Sequence, residues 1–187
     1  MLQLNKQCEF TSFSIRDSFS LPRNVVDVCQ LGLTLNNVVF ERLHPFKNRP
    51  ISTRLKEVLL YLKSYYGKEQ SLLTAWLNCE QNLHSGPGNV NKIEYISDEK
   101  INRLLRKDLN KIDNLIVLID SRVARKEKCW NNTFAAWLDL RDSISFLYRK
   151  LARLYPDGSV RDALIEMADI LDQNQDDIVL SNKLFIA

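Results

Sequence analysis

The sequence predicts an all-α fold: an antiparallel bundle of five to six helices centred on a long helical hairpin over about residues 98–155. Three observations carry that expectation. Leu105, Leu109, Ile112, Ile116, Ile119 and Val123 recur at spacings of 4, 3, 4, 3 and 4. Trp130, Phe134, Trp137, Arg141, Ile144, Tyr148, Leu151 and Tyr155 repeat the same rhythm in a second run. Positions three and four apart share one helix face, so this is the period of helices packed side by side along their length. Third, Gly and Pro number only five each, too few for the many turns of an all-β chain.

Composition sets the frame. At 187 residues, the chain suits one good-sized domain or two very small ones. With 45% hydrophobic and 26% charged residues it reads as a folded soluble chain rather than a disordered one. A chain of this size buries roughly 70% of the surface its unfolded form exposes, so it needs neither metal nor disulfide to fold. Cys8, Cys29, Cys79 and Cys129 are scattered among apolar neighbours without metal-ligand spacing. They read as four buried thiols in a reducing compartment. No run of 18 apolar residues exists, so no membrane span is expected. The polar stretch Met1 to Thr11 does not read as a secretory signal, and Asn131-Asn132-Thr133 is then a chance glycosylation match. A cytoplasmic protein is expected.

The elements follow in order. Residues 1–20 read as an N-terminal arm, with weak alternation around Phe13 and Ile15 that suits a short strand or an extended arm. Residues 21–173 read as one helical-bundle domain. Ser20-Leu21-Pro22 suggests a helix start, with Ser as cap and Pro in the first turn. Leu21, Val25, Val28, Gly32, Leu35 and Val39 then space as 4, 3, 4, 3 and 4, with Gly32 a point where the helix could divide. The helix must stop before His44-Pro45. Ser52 or Thr53 opens a further helix carrying Leu55, Val58, Leu59 and Leu62, with Gly67 as its C-terminal cap. Another, about 69–83, is expected to bury Leu72, Leu73, Trp76 and Cys79. It stops at Ser85-Gly86-Pro87-Gly88, the strongest turn signal in the chain. Ser97-Asp98-Glu99 caps the long helix, expected over 98–128 and about 46 Å long. Asn131 and Asn132 separate it from its partner at 132–155. Pro156-Asp157-Gly158 is a turn. Ser159 to Asp162 opens the last helix, which carries Val160, Leu164, Met167 and Leu171. Residues 174–187 read as a C-terminal tail.

Charge is segregated. From Lys100 to Lys128 nine basic and four acidic residues give +5, and Lys100, Arg103, Lys107, Lys111, Arg125 and Lys128 fall opposite the apolar seam. From Asp162 to Asp177 there are six acids and no base. The basic face has three readings: a solvated surface, a phosphate-binding stripe for RNA or DNA, or a dock for an acidic partner that includes the acidic helix of another copy. Net charge of only +3 and the absence of aromatics between the basic residues weaken the nucleic-acid reading. Asp113, Asp120 and Glu127 flank the seam and are expected to pair with bases on the neighbouring helix, where Arg149, Lys150 and Arg153 are available.

Arg141 occupies a seam position between Trp137 and Ile144. A buried unpaired charge costs several kcal/mol. Arg141 must therefore snorkel over Trp137, pair with an acid such as Asp113 or Asp120, or anchor a protein interface. The interface reading takes in Trp130, Phe134, Trp137, Arg141, Tyr148 and Tyr155, because Trp, Tyr and Arg are enriched at binding hot spots. It predicts that Trp137→Ala or Arg141→Ala weakens assembly more than folding.

Catalytic chemistry is thin. The two histidines, His44 and His84, have no partner at i+3 or i+4, no Gly-rich phosphate loop is present, and the acids flank the seam or face outward. The sequence therefore points to a non-catalytic interaction or assembly protein, an adaptor, accessory subunit or regulator. No cofactor, metal or small-molecule substrate is expected. Its partner is another protein or a second copy of itself, and a nucleic-acid-binding accessory protein is the alternative.

Overall fold

The structure is a computed structural model and describes residues 14–42, 53–83, 98–124 and 130–186. Every element among them is an α-helix: α1 (Ile15–Ser18), α2 (Val25–Glu41), α3 (Thr53–Leu83), α4 (Asp98–Ala124), α5 (Trp130–Ala152) and α6 (Ser159–Ile186). The expected all-α bundle is borne out. α5 is its hub, packed along α4 on one flank and α6 on the other, and touching α2. α2 also packs on α3 and α6, and α3 packs on α6.

The two heptad seams form the core. Leu105, Leu109, Ile112, Ile116 and Ile119 of α4 are all buried, as are Ile144, Leu147 and Leu151 of α5. Each such side chain contributes about 1.5–3 kcal/mol on leaving water. Glu127 lies outside the described residues, as do the side chains of Val123 and Trp130.

α2 begins four residues later than Ser20-Leu21-Pro22 suggests. Its cap is Asn24, whose side chain accepts from the Asp27 N–H at 2.8 Å. The Asp27 carboxylate in turn accepts from the Arg23 N–H at 2.7 Å. This reciprocal pair satisfies orphan donors that Ser20 is too far away to reach. Pro22 is buried before the cap, and its carbonyl accepts from the Tyr155 hydroxyl at 2.5 Å. The helix then runs unbroken through Gly32. There the approach is close: an added Cβ would sit 3.2 Å from the Met167 sulfur, which would have to give by a few tenths of an ångström, and 3.4 Å from Leu73.

α3 corrects the expectation of two helices. It continues straight through Gly67, which is exposed, helical and has open space around its Cα. A glycine in a helix interior costs only about 1 kcal/mol, less than the packing that continuity secures. Continuity sets the phase of the buried face: Leu62, Tyr66, Glu69 and Leu73, spaced 4, 3 and 4. Leu72 and Cys79 consequently point to solvent, although burial was expected for both. Cys29 is buried as expected, and Cys8 and Cys129 lie outside the described residues.

Residues 15–18 form one helical turn rather than a strand. The Asp113 carboxylate of α4 holds it, accepting from the Ser14 hydroxyl at 2.9 Å and the Ile15 N–H at 2.8 Å. An acceptor at a helix N-terminus meets both the orphan N–H groups and the positive end of the dipole. Asn131 and Asn132 sit inside the first turn of α5. The turn at Pro156-Asp157-Gly158 forms as expected, with Gly158 at φ +151°, a conformation that favours glycine. α6 does not stop at 173. It runs to Ile186 and buries Ile178, which continues the 160, 164, 167, 171 register.

Candidate interaction surface

The aromatic seam is the interior of the molecule. Phe134, Trp137, Arg141, Tyr148 and Tyr155 are all buried, so an interface on these side chains would require the core to open. The Trp137 indole N–H donates to the Val39 carbonyl at 3.3 Å, and its ring stacks on Phe134 with centroids 5.6 Å apart.

Arg141 shows why the seam tolerates a charge. Its guanidinium donates to Glu69 at 3.0 Å and to the Tyr66 hydroxyl at 2.8 Å. It also lies over the rings of Tyr66 and Trp137, 5.4 and 5.6 Å from their centroids. Burial pulls the Arg141 pKa down, but Tyr66 and Glu69 outweigh it and leave the group firmly charged. Burial likewise pushes Tyr66 and Tyr148 upward. The expected acids serve elsewhere: Asp113 caps α1, and Asp120 meets the buried Arg42, just past the end of α2, at 3.4 Å. Burial raises the Asp120 pKa despite that partner.

Arg149 and Lys150, adjacent on α5, reach in opposite directions. Lys150 bonds Asp108 and the Leu104 carbonyl of α4, at 2.5 and 2.8 Å. Arg149 bonds Asp169 and Asp172 of α6, at 2.7 and 2.6 Å. Hydrogen bonds donated to Asp172 and Asp169 hold Arg149 charged. These contacts also bring the 104–108 stretch of α4 and the 169–172 stretch of α6 to the same level along α5.

The outer surface of that layer holds the remaining candidate residues. Lys100, Arg103, Lys107 and Lys111 are exposed on α4 as expected, while Arg125 and Lys128 lie outside the described residues. Two leucines were not anticipated among them. Leu104 is 43% and Leu118 38% exposed. With Lys100, Lys107, Lys111 and Asn114 they make a second stripe, Lys100-Leu104-Lys107-Lys111-Asn114-Leu118, spaced 4, 3, 4, 3 and 4. That is heptad spacing again, turned to solvent. On α5 the solvent-facing apolar residue is Phe146, 55% exposed. On α6 a shallow groove is lined by Asp162, Ile165, Glu166, Asp169, Ile170 and Gln173. Asp176 and Asp177 continue the helix, but their side chains lie outside the described ones.

A cavity of about 880 Å³ lies between α1, residues 19–24, α2 and Ile101 of α4. Its charged residues are Arg23 and Asp27, and the Asp27 carboxylate accepts from the Arg23 backbone N–H. His44 and His84 lie outside the described residues. Among the described residues no group of three metal-ligating side chains comes together, and no helix is long and apolar enough to cross a membrane. No protein-family model, curated protein or solved structure matches this chain.

Proposed function

We propose that this chain is a non-catalytic helical interaction protein, and that its docking element is the outer stripe of α4. The observation that carries the reading is the solvent-facing heptad spacing of Lys100, Leu104, Lys107, Lys111, Asn114 and Leu118. A helix with acids and apolar residues in the complementary register would place knobs beside Leu104 and Leu118 and carboxylates beside the lysines. A phosphate backbone would use the lysines and leave both leucines in water. The leucines therefore favour a protein over a nucleic acid.

The test uses a designed amphipathic peptide with leucine at its seam positions and glutamate beside them, followed by fluorescence anisotropy. Binding at low salt that is lost in both Leu104→Ser/Leu118→Ser and Lys107→Glu/Lys111→Glu supports the reading. Retention of a labelled oligonucleotide that ignores the leucine substitutions and vanishes with the lysine reversals would overturn it in favour of nucleic acid.

A further inference from the structure

The layer formed by α4, α5 and α6 is basic along one edge and acidic along the other. Lys100, Arg103, Lys107 and Lys111 are exposed on α4. Asp162 and Glu166 are exposed on α6, with Asp169 half-buried beside them. Both edges lie at the same level of the central helix, because Arg149 binds one neighbour and Lys150 the other. Between the edges Phe146 projects to solvent.

Resting on the reading that the α4 stripe docks a helix, we propose that its partner is a second copy of this chain. The two copies pair face to face about a two-fold axis parallel to the helices and passing beside Phe146. That operation lays the basic edge of each copy on the acidic edge of the other, twice over, and brings the two Phe146 rings together on the axis. A two-fold perpendicular to the helices would instead set α4 on α4, lysine against lysine, and is disfavoured by charge alone. Leu104 borders the Ile165–Ile170 groove of the second copy, so apolar contact accompanies the ion pairs. Of the like charges that flank the axis, Asp142 lies one turn from Phe146, about 6 Å along the helix, and Asp139 and Arg153 two turns, about 10 Å, so close contact is confined to the Phe146 turn.

Charge exchange on the full chain tests this. Lys100→Glu/Arg103→Glu sets acid against acid at both contacts, and Asp162→Lys/Glu166→Lys, at the same level, sets base against base. Each double variant should raise the dissociation constant by about tenfold or more, read by sedimentation equilibrium at low salt. Mixed one to one, the two variants should recover a particle of twice the chain mass, because every basic edge again meets an acidic one. Phe146→Asp should dissociate the parent dimer while circular dichroism stays unchanged.

Three outcomes would overturn the proposal: a monomer at all concentrations, dimers indifferent to both reversals, or a mixture that stays monomeric. Assemblies larger than two copies would also overturn it, since an unclosed α4-to-α6 contact grows into a filament. A monomeric chain that still binds the acidic peptide would sink the self-pairing and leave the docking stripe standing. A monomer that does not bind it would sink both.

Discussion

Two stripes in this molecule share one spacing and have opposite fates. The inner stripe of α5, Phe134-Trp137-Arg141-Ile144-Tyr148, is closed over by α2, α3 and α6. The outer stripe of α4, Lys100-Leu104-Lys107-Lys111-Asn114-Leu118, faces solvent. Heptad spacing says only that a helix has a face able to meet another helix. Side-chain chemistry decides which face is sealed inside the chain. The inner stripe carries aromatic area, and its one charge has a buried carboxylate and a phenol within reach. The outer stripe carries three lysines and no acid of its own.

Substitutions sharpen the contrast, from the largest effect to the smallest. Arg141→Ala should destabilise by about 3–5 kcal/mol, because it strands Glu69 without its partner in the core. Replacing both, as Arg141→Met with Glu69→Leu, should cost far less or stabilise, and urea unfolding of the single and double variants separates the two cases. An equal loss in both would mean that the pair is not the unit. Trp137→Ala should also cost about 3–5 kcal/mol, through the cavity and the lost bond to Val39. Both effects fall on folding, the reverse of the expectation that these residues serve assembly first.

Asp120 gives a pH-dependent comparison. Its folded pKa is raised, so the stability it contributes is fully present below the unfolded value near 3.9 and is lost as pH rises through the folded value. Asp120→Asn should therefore match or exceed the parent at pH 7, and that difference should shrink towards pH 3. A clear loss at pH 7 would show that the Arg42 contact outweighs burial. Tyr155, pushed up to about 12 by burial and then by Asp27, works at the other end. Its contribution is intact below about pH 10 and falls between there and about 12. Gly67→Ala should stabilise by about 0.5–1 kcal/mol, since the site is helical and open. Lys107→Glu/Lys111→Glu should leave monomer unfolding within about 0.5 kcal/mol of the parent.

Much of this fold was legible because its seams are apolar and strictly periodic. The 105–119 and 134–155 runs landed where their spacing put them. Arg141 announced itself as a charge that needed a partner. That partner was illegible, because Glu69 lies 72 residues away and leaves no local signal. Gly67 hid it further. Reading a helix stop there broke the 62, 66, 69, 73 register that would have placed Tyr66 and Glu69 on the buried face. The extension of α6 was masked by the polar run from Asp172 to Asp177, although Ile178 keeps the register. Leu104 and Leu118 were passed over because two leucines dilute easily among lysines. Their exposure stands against the burial of Leu105, Leu109, Ile112, Ile116 and Ile119 on the same helix.

The measurement that separates the two stripes most directly is a pair of experiments on two variants, Trp137→Ala and Leu104→Ser/Leu118→Ser. Urea unfolding at low concentration reads the monomer, and sedimentation equilibrium reads association. The inner substitution should lose about 3–5 kcal/mol of folding stability. The outer pair should keep its monomer stability and lose association. Comparable losses of stability in both variants, with association unchanged in the outer pair, would contradict the assignment of one stripe to the core and the other to docking.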